Sequence, residues 1–70
     1  MTTQTYTVSG MTCGHCVSSV SSEIGKLPGV RGVQVDLATG AVTVESEQPL
    51  PDEAVAAAVD EAGYAVVGAS

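Results

Sequence analysis

Thr5-Tyr6-Thr7-Val8-Ser9-Gly10-Met11-Thr12-Cys13-Gly14-His15-Cys16-Val17 changes its periodicity at its centre. Before Gly10, polar and apolar residues alternate, which puts Tyr6 and Val8 on one side of an extended chain, as in a half-buried strand. After Gly14 the apolar residues Val17, Val20, Ile24 and Leu27 fall three and four apart, one stripe of an amphipathic helix. A strand is therefore expected over residues 3–9, a loop at Gly10-Met11-Thr12 and a helix over about 14–25. Gly25 and Leu27-Pro28-Gly29 should end that helix. Ser18, Ser19, Ser22 and Glu23 take its outer face. Serine is an indifferent helix former, so packing rather than propensity must stabilise the segment.

Residues 30–37 alternate again, with Val33, Val35 and Leu37 on one face and Gln34 and Asp36 on the other. Ala38-Thr39-Gly40 reads as a short turn, with Gly40 available for a positive φ. Residues 41–45 return with Val42 and Val44 inward, completing a β-hairpin. A polar, proline-marked connection, Ser46-Glu47-Gln48-Pro49-Leu50-Pro51, follows. Pro51-Asp52-Glu53 then opens a second helix, because proline lacks an N–H that the first turn would leave unpaired and acids suit the positive helix end. Its stripe is Val55, Val59 and Ala62, and Gly63 stops it at C′. Residues 64–67 are expected to form a last strand, and Gly68-Ala69-Ser70 a tail. The order β-α-β-β-α-β predicts an α+β, ferredoxin-like βαββαβ sandwich, a four-stranded antiparallel sheet with two helices on one face. With no repeat or linker in between, residues 1–70 are expected to be a single domain.

Size and charge exclude several functions. At 70 residues and 44% hydrophobic, with Tyr6 and Tyr64 the only aromatics, the chain can build a thin aliphatic core. It cannot enclose a large substrate pocket, so an enzyme of ordinary kind is not expected. Two basic residues against eight acidic ones leave a formal net charge of -6. Nucleic acid is thereby excluded, since phosphate affinity needs clustered Lys and Arg. Gly29-Val30-Arg31-Gly32 fits a GxxG clamp, but without basic surroundings or stacking aromatics it reads as a turn. Anionic membranes are disfavoured on the same grounds, whereas a basic protein surface would be attracted. Met1-Thr2-Thr3-Gln4-Thr5 carries neither the basic nor the apolar segment of a secretory signal, and the longest apolar run, residues 54–59, is too short to cross a bilayer. The expected location is the cytoplasm, where a cysteine pair stays reduced.

Cys13 and Cys16 are the only cysteines, three residues apart at the start of the first helix. Unpaired N–H groups and the helix dipole favour a thiolate there. A closed zinc site would require four Cys or His ligands, and one chain offers two cysteines and His15. Haem attachment requires histidine directly after the second cysteine, where Val17 stands. A thioredoxin-like dithiol also places Cys-x-x-Cys at a helix N-terminus, but in a longer α/β chain. The residues favour the remaining reading, a soft monovalent metal such as Cu(I) held by two thiolates and open to an incoming ligand.

Gly10-Met11-Thr12-Cys13-Gly14-His15-Cys16, set in this element order, closely resembles the heavy-metal-associated domain. The resemblance continues through Leu27-Pro28-Gly29-Val30, Val33-Gln34-Val35-Asp36 and Ala62-Gly63-Tyr64. Free-standing members are bacterial copper chaperones of the CopZ type, and others are N-terminal modules of copper-exporting P-type ATPases. The resemblance implies that Cys13 and Cys16 bind Cu(I), and that Met11 tucks into the core to brace the loop. It implies that Thr12 favours Cu(I) over Zn(II), and that Tyr64 packs near the loop. It further implies handover to a copper-exporting P-type ATPase by thiolate exchange, loop against loop, without redox chemistry or catalysis. Plainer roles stand beside these: Met11 as core filler rather than thioether ligand, Tyr64 as an ordinary core aromatic, His15 as a solvent-facing residue. His15 is expected to tune the thiols modestly, or to add a ligand where two chains share copper in a bridged homodimer. Two other readings remain, a metal-binding module excised from a transporter and a small dithiol oxidoreductase.

Overall fold

Alternating residues at the start of the chain form β1 (Thr2–Ser9), and the three-and-four spacing after the loop forms α1 (Gly14–Gly25). The hairpin is β2 (Val30–Asp36) and β3 (Ala41–Ser46), followed by α2 (Asp52–Glu61) and β4 (Ala65–Ala69). The structure is a computed structural model that describes residues 1–11 and 14–69. The sheet order is β2-β3-β1-β4, with every neighbour antiparallel. Register puts Tyr6 opposite Val42, Val8 opposite Val66 and Val33 opposite Val44, so their side chains share one face. That face packs against Val20 and Ile24 of α1 and Val55 and Val59 of α2 in one apolar cluster. Both helices thus cover the same side of the sheet, and the ferredoxin-like expectation holds. Thr3, Thr7, Ser9, Gln34 and Glu45 line the other, solvent-facing side.

Several side chains depart from the expected pattern. Leu37 does not extend the inner face of β2; it follows the strand, 39% exposed. Asp36 ends the strand there, its Oδ1 accepting the Ala38 N–H at 2.9 Å and its backbone oxygen accepting the Gly40 N–H at 2.8 Å. In α1 the buried positions are Cys16, Val20 and Ile24, steps of four, while Val17 is only half-buried. Leu27 lies past the helix but still packs on the core. Ala58 joins Val55 and Val59 inside α2, and Ala62 becomes the C-cap. Gly63 does stop the helix, at φ +92, with its N–H donated to Asp60 O and the Tyr64 N–H to Val59 O. β4 begins after Tyr64 and takes in Gly68 and Ala69, because Thr7 and Tyr6 of β1 are there to pair with them. Ser46 prolongs β3 and is fully buried, its hydroxyl satisfied by Gln48 O at 2.7 Å.

At the N-terminal end of β1 a polar cluster ties strand, connection and helix together. Gln4 Nε2 donates to Tyr6 Oη at 2.7 Å and to Leu50 O at 3.1 Å, and Gln4 Oε1 accepts the Leu50 N–H at 2.9 Å. The buried Tyr6 hydroxyl in turn donates to Asp52 Oδ1 at 3.2 Å. Burial first, then that hydrogen bond and the Asp52 charge, holds the phenol above its ordinary pKa of 10.0.

Candidate metal centre

The other end of β1 delivers the chain to the cysteine loop. Four connections meet at this pole: the exit of β1, the first turn of α1, the β2–β3 turn and the α2–β4 link. The Val8 N–H donates to Gly40 O at 2.9 Å, fastening the last inward residue of β1 to the hairpin turn. Gly10 then turns with φ +91, a conformation that L side chains rarely adopt. A Cβ at Gly10 would stand 3.1 Å from Cδ1 of Tyr64, so the ring lies directly over the glycine backbone. Periodicity alone does not give this contact; the family resemblance implies that Tyr64 packs near the loop, and the structure sets its ring on Gly10.

Met11 follows, 9% exposed and part of the apolar cluster. Thr12 and Cys13 lie outside the described residues. Gly14 and His15, the first two residues of α1, are exposed. Cys16, the third, turns inward and is 6% exposed, packed in the same cluster as Met11. Among the described residues, the first turn of α1 carries no acidic side chain at the positive end of the helix dipole. Of the residues expected to serve the site, the fold brings Met11, Cys16 and Tyr64 to one pole and sends His15 outward.

Among the described residues of this pole, Gly10, Gly14 and His15 are exposed, and Met11 and Cys16 belong to a packed apolar floor. An open groove of about 520 Å³ lies at the opposite pole, between Leu27, Pro28, Leu50, Pro51 and Ala54. No helix among the described residues is long and apolar enough to cross a membrane.

Residues 5–65 match the family described as the heavy-metal-associated domain. The chain is 44% identical over 57 residues to the COP-associated protein of Helicobacter felis, covering 81% of this chain and 86% of that protein. It is 37% identical over 67 residues to the copper chaperone CopZ of Bacillus subtilis, covering 94% and 97% respectively. A solved CopZ metallochaperone superposes with a TM-score of 0.87 at 33% identity, over 94% of this chain and 100% of that one. The chain is also 37% identical over 65 residues to a probable copper-exporting P-type ATPase of Archaeoglobus fulgidus, covering 91% of this chain and only 8% of the ATPase.

Proposed function

The chain belongs to the heavy-metal-associated domain family, and we propose that within it this chain is a copper chaperone, taking up Cu(I) between the thiolates of Cys13 and Cys16 and passing it to a copper-exporting P-type ATPase. The observation that carries the reading is Cys16, inward-facing in the first turn of α1 and packed in one cluster with Met11, at the pole where the Tyr64 ring lies over Gly10. Likeness to CopZ chaperones over nearly their whole length supports the chaperone reading.

The chemistry follows from the donor set. Thiolates are soft and select Cu(I) over hard cations. A thiolate at Cys16 is a charge set against an apolar floor, and a bound monovalent cation compensates it. Two sulfurs leave the ion under-coordinated. An incoming thiolate of the partner adds to copper, one of the two cysteine sulfurs leaves, and a second exchange completes the transfer. Copper remains Cu(I) throughout, so no oxidant or reductant enters. The Met11 side chain, held in the core, braces the loop instead of ligating. His15, on the exposed side of α1, tunes affinity modestly from outside, and the under-coordinated ion permits a copper-bridged homodimer at high loading. This reading places the protein in the cytoplasm. The ATPase match supports a second reading, in which the same residues form a metal-binding module of a transporter.

The test is an anaerobic Cu(I) titration of the reduced protein against a chromophoric Cu(I) chelator, with the Cys13→Ser/Cys16→Ser variant alongside. Tight 1:1 capture that vanishes in the variant is expected. A reduced protein that fails to compete overturns the copper reading and leaves Zn(II) binding or dithiol exchange in its place.

A further inference from the structure

The two edges of the sheet are protected unequally. β2 carries charges along its open edge, Arg31 and Asp36, and a register shift between Val30 and Gly32. Charges and bulges are the usual means of preventing an added strand. β4, the other edge, pairs only with β1 and reads Ala65-Val66-Val67-Gly68-Ala69, without a charge or a proline. Every second N–H and C=O of such a strand points away from the sheet. A bulge opposite Thr7/Val8 leaves Val67 without a cross-strand mate and turns it to solvent, 64% exposed. The bulge limits the length of any added ladder but leaves an apolar side chain on the edge.

Beside this edge α2 presents a second surface. Glu53, Ala56, Ala57 and Asp60 fall at i, i+3, i+4 and i+7, one face of the helix. With Tyr64, Ala65 and Val66 they line an open groove along β4. The alanines form a low floor and the two carboxylates stand at its ends. Seven residues of helix separate those carboxylates by about 10 Å. Side chains on one face of a strand recur about every 7 Å, so cations two to four residues apart reach both.

We propose that the open edge of β4, with the alanine floor and flanking carboxylates of α2, accepts an extended basic segment of a partner protein as a fifth strand. Main-chain pairing supplies the affinity and the alternate side chains supply the specificity, as in β-augmentation generally. A second copy of this chain fits the edge poorly. It would bring its own Glu53 and Asp60 up against the same groove, and each copy carries a net charge of -6. The groove runs from Glu53, in the first turn of α2, to Asp60, Tyr64 and Ala65 at the pole where β1 ends, and none of its lining residues is one of the proposed copper ligands.

The test uses the reduced, metal-free full chain, so its outcome is independent of copper binding. The ¹⁵N-labelled protein is titrated with a heptapeptide alternating lysine and valine, against a control of the same composition with its lysines consecutive. Shift changes and slowed amide exchange along Ala65–Ala69 and Glu53–Asp60, stronger for the alternating peptide, are expected. E53Q/D60N should weaken binding about fivefold, the scale of two exposed ion pairs, and flatten its salt dependence. Val67→Lys, at an exposed position, should weaken binding by placing a cation on the edge. Perturbations confined to other surfaces, equal response to both peptides, or affinity unchanged in E53Q/D60N would each overturn the proposal. So would concentration-dependent dimerisation with slowed β4 exchange in the absence of peptide, which assigns the edge to a second copy.

Discussion

The two ends of β1 are held by different physics. At its start, Gln4, Tyr6, Leu50 and Asp52 form a side-chain hydrogen-bond cluster joining strand, connection and helix. Such bonds are directional, and a buried group that loses its partner destabilises the fold. At its end, the loop is set by shape: a glycine at positive φ beneath an aromatic ring, and a methionine and a cysteine folded into the core. The first end fastens the sandwich. The second sets the angle at which a short loop leaves it. Changes at the first end should therefore alter stability and spare metal capture, and changes at the second should alter both.

Gly10→Ala should have the largest effect on this contrast. The left-handed backbone and the Tyr64 ring both oppose a Cβ, and together they should cost about 2 kcal/mol in urea denaturation and weaken Cu(I) capture. In a Tyr64→Ala background the cost should fall to about 1 kcal/mol, the backbone share alone. An equal cost in both backgrounds would show that the ring has no part in holding the loop.

Tyr6→Phe comes next, removing the hydroxyl from the Gln4–Asp52 cluster for about 1 kcal/mol, with Cu(I) affinity unchanged. Its pH dependence has a defined sign. The native phenol titrates above the unfolded one, so its contribution is complete below the unfolded value near pH 10 and is lost as pH rises through the raised native value. Alkaline denaturation curves should therefore converge for the two proteins above that range and stay parallel below it. A copper affinity that moved with Tyr6→Phe would break the separation between the ends.

The smallest effect is expected from His15→Ala. The side chain is exposed on the first turn of α1, so stability should hold and Cu(I) affinity should shift no more than about threefold, the order of a solvent-screened interaction. A larger loss would make His15 a ligand.

Much of this architecture was legible from local pattern. Alternation located β1, the hairpin and its turn, and Pro51 and Gly63 bracketed α2 correctly, because strand period, helix period and capping preference belong to short stretches of chain. Leu37 misled because its alternation was right while the Asp36 side chain had already begun the turn. Val17 misled because three-and-four spacing allows a neighbouring stripe, and the buried one runs through Cys16, Val20 and Ile24. The Cys13/Cys16 spacing is ambiguous alone, and the resemblance makes the two cysteines the proposed metal ligands; the fold adds that Cys16 faces the core, while Cys13 lies outside the described residues.

The sequence by itself determined the order and kind of the elements and the place of Cys16 in the first turn of α1, since each rests on residues within a few positions of one another. Only the tertiary structure decided how far β4 runs, that Cys16 rather than Val17 completes the buried stripe of α1, and that the Tyr64 ring lies over Gly10 itself. Those depend on pairing and packing between segments distant in the chain, where one residue's rotation of a helix or extension of a strand is selected by the surface it meets.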